Sequence, residues 1–373
     1  MAGVIALTAT GIQDVHLTGE SPSVSFFRQA YRRYLPFAIK PERLDYIGTF
    51  GANNEVSIPI PSKGDLLTHI WIECPNIAAT GTNTTGFYSQ DVQIPTEFTL
   101  NIGGQPVVTI DALYVQAVHN VLMQPSQAKA ASSVTTATVK GNAEGNSAGA
   151  AGHYVIPFWF SEDWTKALPL LAMQYAEVTV SVKCRGGTFT PSATPKVFGM
   201  FAYLDTVERD FFVKQPYEML ITQVSRQLAS NTDAEYDLSY FNHPTKSIHV
   251  VSGKADGGHW SSQWTFTGDA TMFINGTPLF ENMSNVYHHT IVPELHCTNV
   301  PDGVLDTVPV YTWPLSLNLG RSQPSGSLNL SRVDTAKIHV EGPTGGNTQH
   351  SLYAVNYNIL KAKDGLCGVL YGN

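Results

Sequence analysis

The stretch Phe98-Thr99-Leu100-Asn101-Ile102-Gly103-Gly104-Gln105-Pro106-Val107 returns, in the same order of residue types, as Thr271-Met272-Phe273-Ile274-Asn275-Gly276-Thr277-Pro278-Leu279. Each copy reads as a strand feeding a Gly-containing turn and then a proline. Aligning Pro106 with Pro278 gives an offset of 278 − 106 = 172. A looser pair, Leu168-Pro169-Leu170 and Trp313-Pro314-Leu315, keeps the order with an offset of 314 − 169 = 145. The difference, 172 − 145 = 27, predicts that many extra residues in the first half. Residues 124–152, rich in Ala, Ser, Thr and Gly and nearly free of aromatics, are the candidate insertion and read as a long exposed loop. The chain is therefore expected to hold two tandem copies of one β-fold: an arm of residues 1–24, a first copy over 25–214 and a second over 215–373.

Working outward, short alternating runs bounded by Gly, Pro, Asn and Ser dominate. From Ala176 to Lys183, Ala176, Val178, Val180 and Val182 face one way and Glu177, Thr179, Ser181 and Lys183 the other, the period-two pattern of a half-buried strand. Similar strands are predicted around Leu66–Glu73, Ser247–Val251, Trp264–Ile274 and Ala336–Val340. Many short strands with frequent turns indicate an all-β sandwich or barrel. Two exceptions are predicted. Phe27, Tyr31 and Tyr34 recur at helical spacing, with Arg28, Arg32 and Arg33 on other faces, before Pro36 ends the pattern. Ser161 is placed to cap a helical turn carrying Glu162, Asp163 and Trp164.

Composition narrows the function classes. At 373 residues the chain exceeds the usual single core. Only 14% of residues are charged, against roughly 25% for soluble domains, which suggests much surface hidden against neighbours. A net charge of −8 argues against a protein that coats nucleic acid, since neutralising phosphates requires clustered Lys and Arg. The N-terminus lacks a basic region followed by an apolar core and cleavage site, and no apolar run approaches a membrane span. Cys74, Cys184, Cys297 and Cys367 lie far apart and read as reduced, buried thiols of a reducing compartment.

Candidate chemical sites are sparse. His288, His289, His296 and Cys297 are good ligand types at spacings that match no zinc motif. Asp233, Glu235 and Asp237 would share one strand face, which suits a solvated edge better than paired-carboxylate hydrolysis, and Glu162, Asp163, Glu208 and Asp210 fare no better. Trp260 and Trp264 suit packing or, alternatively, a carbohydrate platform. No nucleophile elbow, HExxH, phosphate-binding glycine loop or dinucleotide fingerprint is present. No catalytic, cofactor or metal residue is assigned. Asn83, Asn275 and Asn282 stand in glycosylation sequons, as does Asn329, where a packed role is expected instead.

Several segments carry a family resemblance. Trp313-Pro314-Leu315-Ser316-Leu317-Asn318, followed by Gln323-Pro324-Ser325-Gly326-Ser327-Leu328-Asn329-Leu330-Ser331-Arg332-Val333-Asp334, resembles the C-terminal signature of major capsid proteins of nucleocytoplasmic large DNA viruses of the phycodnavirus and iridovirus type. Other blocks are similar to that family's and in its order: 13–19 followed by 25–34, 156–160 leading to 167–178, 201–209, 241–246 and Asn356-Tyr357-Asn358-Ile359-Leu360. The resemblance implies two tandem eight-stranded jelly rolls, a double jelly roll with short helices in loops. It also implies a structural virion protein that is no enzyme. Three copies would form a pseudo-hexameric homotrimeric capsomer tiling an icosahedral shell, assembled in the infected host cell. Expected partners are identical copies, neighbouring capsomers and minor capsid proteins beneath, which Arg28, Arg32 and Arg33 would contact from the inner surface. The second copy's loops are short for the family, so a minor capsomer of the same fold stays open beside the major one, as does a carbohydrate-binding jelly-roll protein.

Overall fold

The computed structural model describes residues 3, 6–19, 21, 24–51, 53–74, 95–124, 136–137, 151–184, 194–230, 233–253, 265–266, 268–301, 310–344 and 349–372. Two compact units separate by contact, Met1–Pro36 and Phe37–Asn373.

Among the described residues, the larger unit holds sixteen principal strands in two sets of eight. The first set is β1 (Phe37–Leu44), β2 (Glu55–Pro59), β3 (Leu66–Cys74), β4 (Pro95–Ile102), β5 (Gln105–Asp111), β6 (Ala151–Val155), β7 (Val178–Cys184) and β8 (Lys196–Leu204). The second is β9 (Tyr217–Ser230), β10 (Glu235–Asp237), β11 (Pro244–Gly253), β12 (Asp269–Ile274), β13 (Thr277–Ser284), β14 (Val310–Pro314), β15 (Ala336–Val340) and β16 (Gln349–Lys363). In the first set the sheets run β1-β8-β3-β6 and β2-β7-β4-β5. In the second they run β9-β16-β11-β14 and β10-β15-β12-β13. Adding eight to every strand number converts one order into the other, so the chain is a double jelly roll, with antiparallel pairing in every one of these ladders.

The repeated sequence is the same hairpin in each copy. β4 turns into β5 through Gly103 and Gly104 at φ 60° and 80°, and β12 into β13 through Asn275 and Gly276 at φ 49° and 78°. Two consecutive left-handed residues match the twist of the flanking strands, which is why Gly and Asn stand there. The strand read around Val178 also alternates as expected, with Val178, Val180 and Val182 buried. Each sandwich encloses apolar alternates of its two sheets. Leu67, Ile70, Phe98, Val180 and Phe201 lie in the first core, and Ile248, Met272, Trp313, Ile338 and Leu352 in the second.

Three expectations change. Leu168-Pro169 does not correspond to Trp313-Pro314: it pairs with β3, and its counterpart is Leu328-Asn329 pairing with β11. Each pair precedes a 3-10 turn, Leu170–Ala172 or Leu330–Arg332. The offset there is 328 − 168 = 160, so the first half's excess is 172 − 160 = 12 residues. A Pro can end any strand, and that chemistry matched where the topology does not. The insertion at 124–152 lies almost wholly outside the described residues. No helix forms over Phe27–Tyr34: Phe26 and Phe27 sit in a turn, and Phe27, Tyr31 and Tyr34 are 99%, 78% and 82% exposed. So short a helix needs a surface for its aromatic stripe, and the nucleation cost is otherwise not recovered. Helix α1 forms earlier, over Ile12–Thr18, where the Asp14 carboxylate accepts from Gly11 N at 2.8 Å. Finally, Ser161 lies inside a helical turn, Trp159–Glu162. The following turn is capped by Asp163, which accepts from Thr165 N at 2.9 Å.

Candidate functional site

Both faces of the β9-β16-β11-β14 sheet are buried, which sets it apart from an ordinary antiparallel sheet. Ile248, Leu352 and Ala354 point into the second core, while their alternates Val251, Tyr353 and Val355 join the cluster that fills the first jelly roll. What covers this second face is the segment of the first jelly roll that follows β5. It joins the end of β5 as helix α2, an α-turn over Ala112–Tyr114 running into a π-helix over Val115–Met123. The Tyr114 and Tyr353 rings meet edge to face at 5.4 Å.

Polar anchors fix this seam. Tyr353 Oη donates to Asp111 Oδ2 at 2.6 Å, Arg226 Nη1 lies 3.1 Å from the same oxygen, and Tyr114 N donates to Asp111 Oδ1 at 2.8 Å. Burial pushes the Asp111 carboxyl above the usual range, against the pull of Arg226 and Tyr353. Gln223 Nε2 donates to Val107 O at 2.6 Å and Ser322 Oγ to Asp163 Oδ2 at 2.8 Å. Thr298 N and Asn299 N both donate to Leu122 O. At the chain's C-terminal hairpin, Gly365 O accepts from Tyr175 N at 2.9 Å. A Cβ on Gly365, which is at φ 79°, would stand 2.5 Å from the Tyr175 ring.

The segment 313–334 packs the edge of the second jelly roll. Trp313 is wholly buried and stacks on His288 at 4.3 Å. Gln323-Pro324-Ser325-Gly326 folds back on the strand end, with Leu317 N donating to Ser325 O and Asn318 N to Ser325 Oγ. Asp334 N and Thr335 N both donate to Asn275 Oδ1, at 3.1 and 3.0 Å, which ties the segment to the β12–β13 turn.

The candidate ligand residues are each engaged locally. His288, His289 and His296 donate through Nδ1 to the carbonyls of Thr312, Val310 and Leu317. Burial raises the Cys297 thiol to about 12 and holds His288 down to about 4. Among the described residues no group of three or more His, Cys, Asp or Glu could hold a metal ion. Cys184, Cys297 and Cys367 are free thiols. Glu235 pairs with Lys337 at 3.0 Å, and Asp237 accepts from Ser239 N at 2.9 Å, so the structure does not converge these carboxylates on a common point. Asp210 pairs with Lys214, four residues on. Trp260, Trp264 and Asn83 lie outside the described residues. Arg28, Arg32 and Arg33 are exposed, as are Asn275 and Asn282. Among the described residues no helix is long and apolar enough to cross a membrane.

Sequence reasoning missed Asp111, Arg226 and Tyr353. Their only local signal is an Asp at the end of one strand and an Arg inside another in a charge-poor chain.

Among the described residues, exposed apolar side chains gather on two further surfaces of the larger unit. On the outer face of β1-β8-β3-β6, the register sets Arg43, Phe198, Trp71 and Val155 in one row across all four strands. Trp71 and Phe198 stack at 5.5 Å; further along β1 on the same face lie Ile39 and Phe37, 43% and 57% exposed, and Trp164, 58% exposed, packs on His69 at 5.1 Å. The second surface is the segment of the second jelly roll that follows β13, a π-turn over Tyr287–Ile291 continuing as an α-turn over Val292–His296. Its inner side, His288 and Val292, is buried, while Ile291 and Leu295 face outward beside Leu317.

The comparisons agree with this architecture along nearly the whole chain. Two family models match in succession: Major capsid protein N-terminus over residues 25–207 and Large eukaryotic DNA virus major capsid protein over residues 208–368. The major capsid proteins of Pyramimonas orientalis virus and Paramecium bursaria Chlorella virus 1 are each 28% identical to it, over 404 and 450 residues. Each alignment spans 100% of this chain and 99% of the relative. Among solved structures, PBCV-1 VP54, fitted into a reconstruction of the virophage Sputnik, superposes with a TM-score of 0.78 at 22% identity. That match covers 94% of this chain and 100% of the other. The Faustovirus major capsid protein superposes at 0.70 with 11% identity, covering 95% of each chain.

Proposed function

The chain belongs to the large eukaryotic DNA virus major capsid protein family and is a structural, non-enzymatic subunit of the virion shell. On that premise we propose that three copies form one homotrimeric capsomer of pseudo-hexagonal outline that tiles an icosahedral face. The observation that carries the reading is the twofold repetition of one strand order in a single chain. Two similar domains per chain let three chains fill a nearly sixfold footprint, and closed interfaces cover sandwich edges that would otherwise invite strand pairing. Size-exclusion chromatography with light scattering tests it: the expected mass is that of three chains, and a stable monomer at high concentration contradicts the proposal.

Within this reading the chain divides into an arm of residues 1–24 and jelly rolls over 25–214 and 215–373. The exposed Arg28, Arg32 and Arg33, just beyond the arm, with the adjacent exposed aromatics, suit contact with minor capsid proteins beneath the capsomer. Removing the residues before Phe37 is expected to leave trimers intact and impair shell assembly. Normal assembly of the truncated chain would refute that role. Asn275 and Asn282 are proposed glycan acceptors on the same fold. Attachment through Nδ2 keeps the Oδ1 atoms available to Asp334 and Thr271, and intact mass before and after glycosidase treatment checks it.

A further inference from the structure

A second polar group lies in the seam between the jelly rolls, apart from Asp111. Two lysines are buried there, one from each jelly roll: Lys166 at 8% exposure and Lys246 at 5%. Lys166 ends the turn Trp164–Lys166, which packs on β9 together with the turn Trp159–Glu162. Lys246 stands where the β11–β16 ladder shifts register, and such a bulge re-aims a side chain out of the strand's alternation. One carboxylate, Glu162, serves both. Its Oε2 lies 3.7 Å from Lys166 Nζ, its Oε1 accepts from Thr222 Oγ1 at 3.3 Å, and its charge reaches Lys246. Asp163 also attracts Lys166, but its two oxygens are engaged by Thr165 and Ser322.

The two ammonium groups are buried more deeply than the carboxylate they share, whose side chain is 29% exposed. Lys246 Nζ donates to Leu319 O at 3.2 Å. Among the described residues, Lys166 Nζ is enclosed and has no hydrogen-bond acceptor. Tyr357 Oη is enclosed without a partner as well, and Tyr357 stands opposite Thr222 on the same face of the β9–β16 ladder, within reach of the Glu162 charge. Burial favours loss of the Lys246 proton, which would balance the charge but leave the three N–H groups of Lys166 without an acceptor. A water molecule adds as many donors as it supplies acceptors. A small anion supplies acceptors alone and offsets the excess charge in the same step.

We propose that the seam binds a small inorganic monoanion of the halide class, held by Lys166 Nζ of the first jelly roll and by Lys246 Nζ and the Tyr357 hydroxyl of the second. A single negative charge matches the excess of two lysines over Glu162, whereas a dianion would reverse it. The ion is an acceptor shared by both domains, so it stabilises the folded chain and leaves when the seam opens.

Chloride and bromide are the probes, used on the full-length chain. With ionic strength held by gluconate, which is too large to enter, each tenfold rise in chloride above its dissociation constant is expected to raise the folding constant about tenfold. Lys166→Met and Lys246→Met are each expected to abolish that dependence, whatever their own stability. Glu162→Gln removes the competing negative charge and is expected to tighten chloride binding about tenfold. Crystals grown in bromide are expected to show an anomalous peak between the two Nζ atoms, a readout that needs no variant to fold. A wild-type chain insensitive to chloride, with no bromide in the seam, overturns the proposal. Chloride dependence that persists in both lysine variants places the ion elsewhere and overturns it too.

Discussion

Asp111 is a carboxylate taken out of water at the meeting of two jelly rolls, and its three partners decide whether that position stabilises the chain. Replacing it with Ala leaves Arg226 and the Tyr353 hydroxyl without their shared acceptor, a loss of about 3–5 kcal/mol for breaking a buried pair. The Arg226 side chain is 27% exposed, so hydration recovers part of that and the expected loss lies near the lower bound. Tyr353→Phe removes one hydrogen bond to a charged group and should cost about 1.5–3 kcal/mol by denaturant melts. Buried histidines set a pH dependence of definite sign. Burial holds His249 near 3 and His288 near 4, so the folded chain keeps both neutral while the unfolded chain protonates them below about 6.5. Stability is therefore expected to fall as pH drops from about 6.5 towards 4. Asp111 works against this, because its raised carboxyl lets the folded chain take up that proton before the unfolded one does. Thermal melts between pH 7 and 4 check the trend, and His288→Phe, which keeps a ring against Trp313, should flatten it.

At the scale of elements, the β12–β13 turn shows how far the sequence was readable. Asn275-Gly276 and Gly103-Gly104 stood out because two consecutive left-handed residues admit few side chains, a constraint carried entirely by adjacent residues. Strand alternation was legible for the same reason, as at Val178, Val180 and Val182. The helix expected over Phe27–Tyr34 failed because its spacing says nothing about whether a surface exists to bury the stripe. Trp313-Pro314 was matched to the wrong partner because a Leu-Pro or Trp-Pro pair records a strand end and not which strand it belongs to. Asn275 also does what no local pattern announces: its Oδ1 holds the amides of Asp334 and Thr335, nearly sixty positions on. Asn275→Gly preserves the turn and loses those two bonds, whereas Asn275→Ala loses the bonds and strains the turn. Both should be destabilised, Ala by roughly 1 kcal/mol more than Gly. Equal effects in chemical denaturation would mean that the turn conformation carries no cost.

The whole molecule is built around a seam that could not be read from sequence, since Asp111 and Tyr353 are 242 positions apart and each is unexceptional in its own neighbourhood. One apolar cluster runs from the first sandwich through α2 to Ile221, Val251, Tyr353 and Val355 of the second, while the other cluster stays inside the second sandwich. The two jelly rolls are therefore expected to unfold together. Separating them would expose Val251, Tyr353 and Val355 to water and strand the Asp111 carboxylate, costs far above those of parting a wet domain contact. Differential scanning calorimetry on the chain, under conditions that keep it monomeric, should show a single transition with calorimetric and van't Hoff enthalpies in agreement. Two resolved transitions would mean the seam is weak and each jelly roll stands alone. In Asp111→Ala the prediction reverses: with the polar anchor gone, the first jelly roll should melt ahead of the second, whose separate core around Trp313 and Leu352 does not depend on the seam.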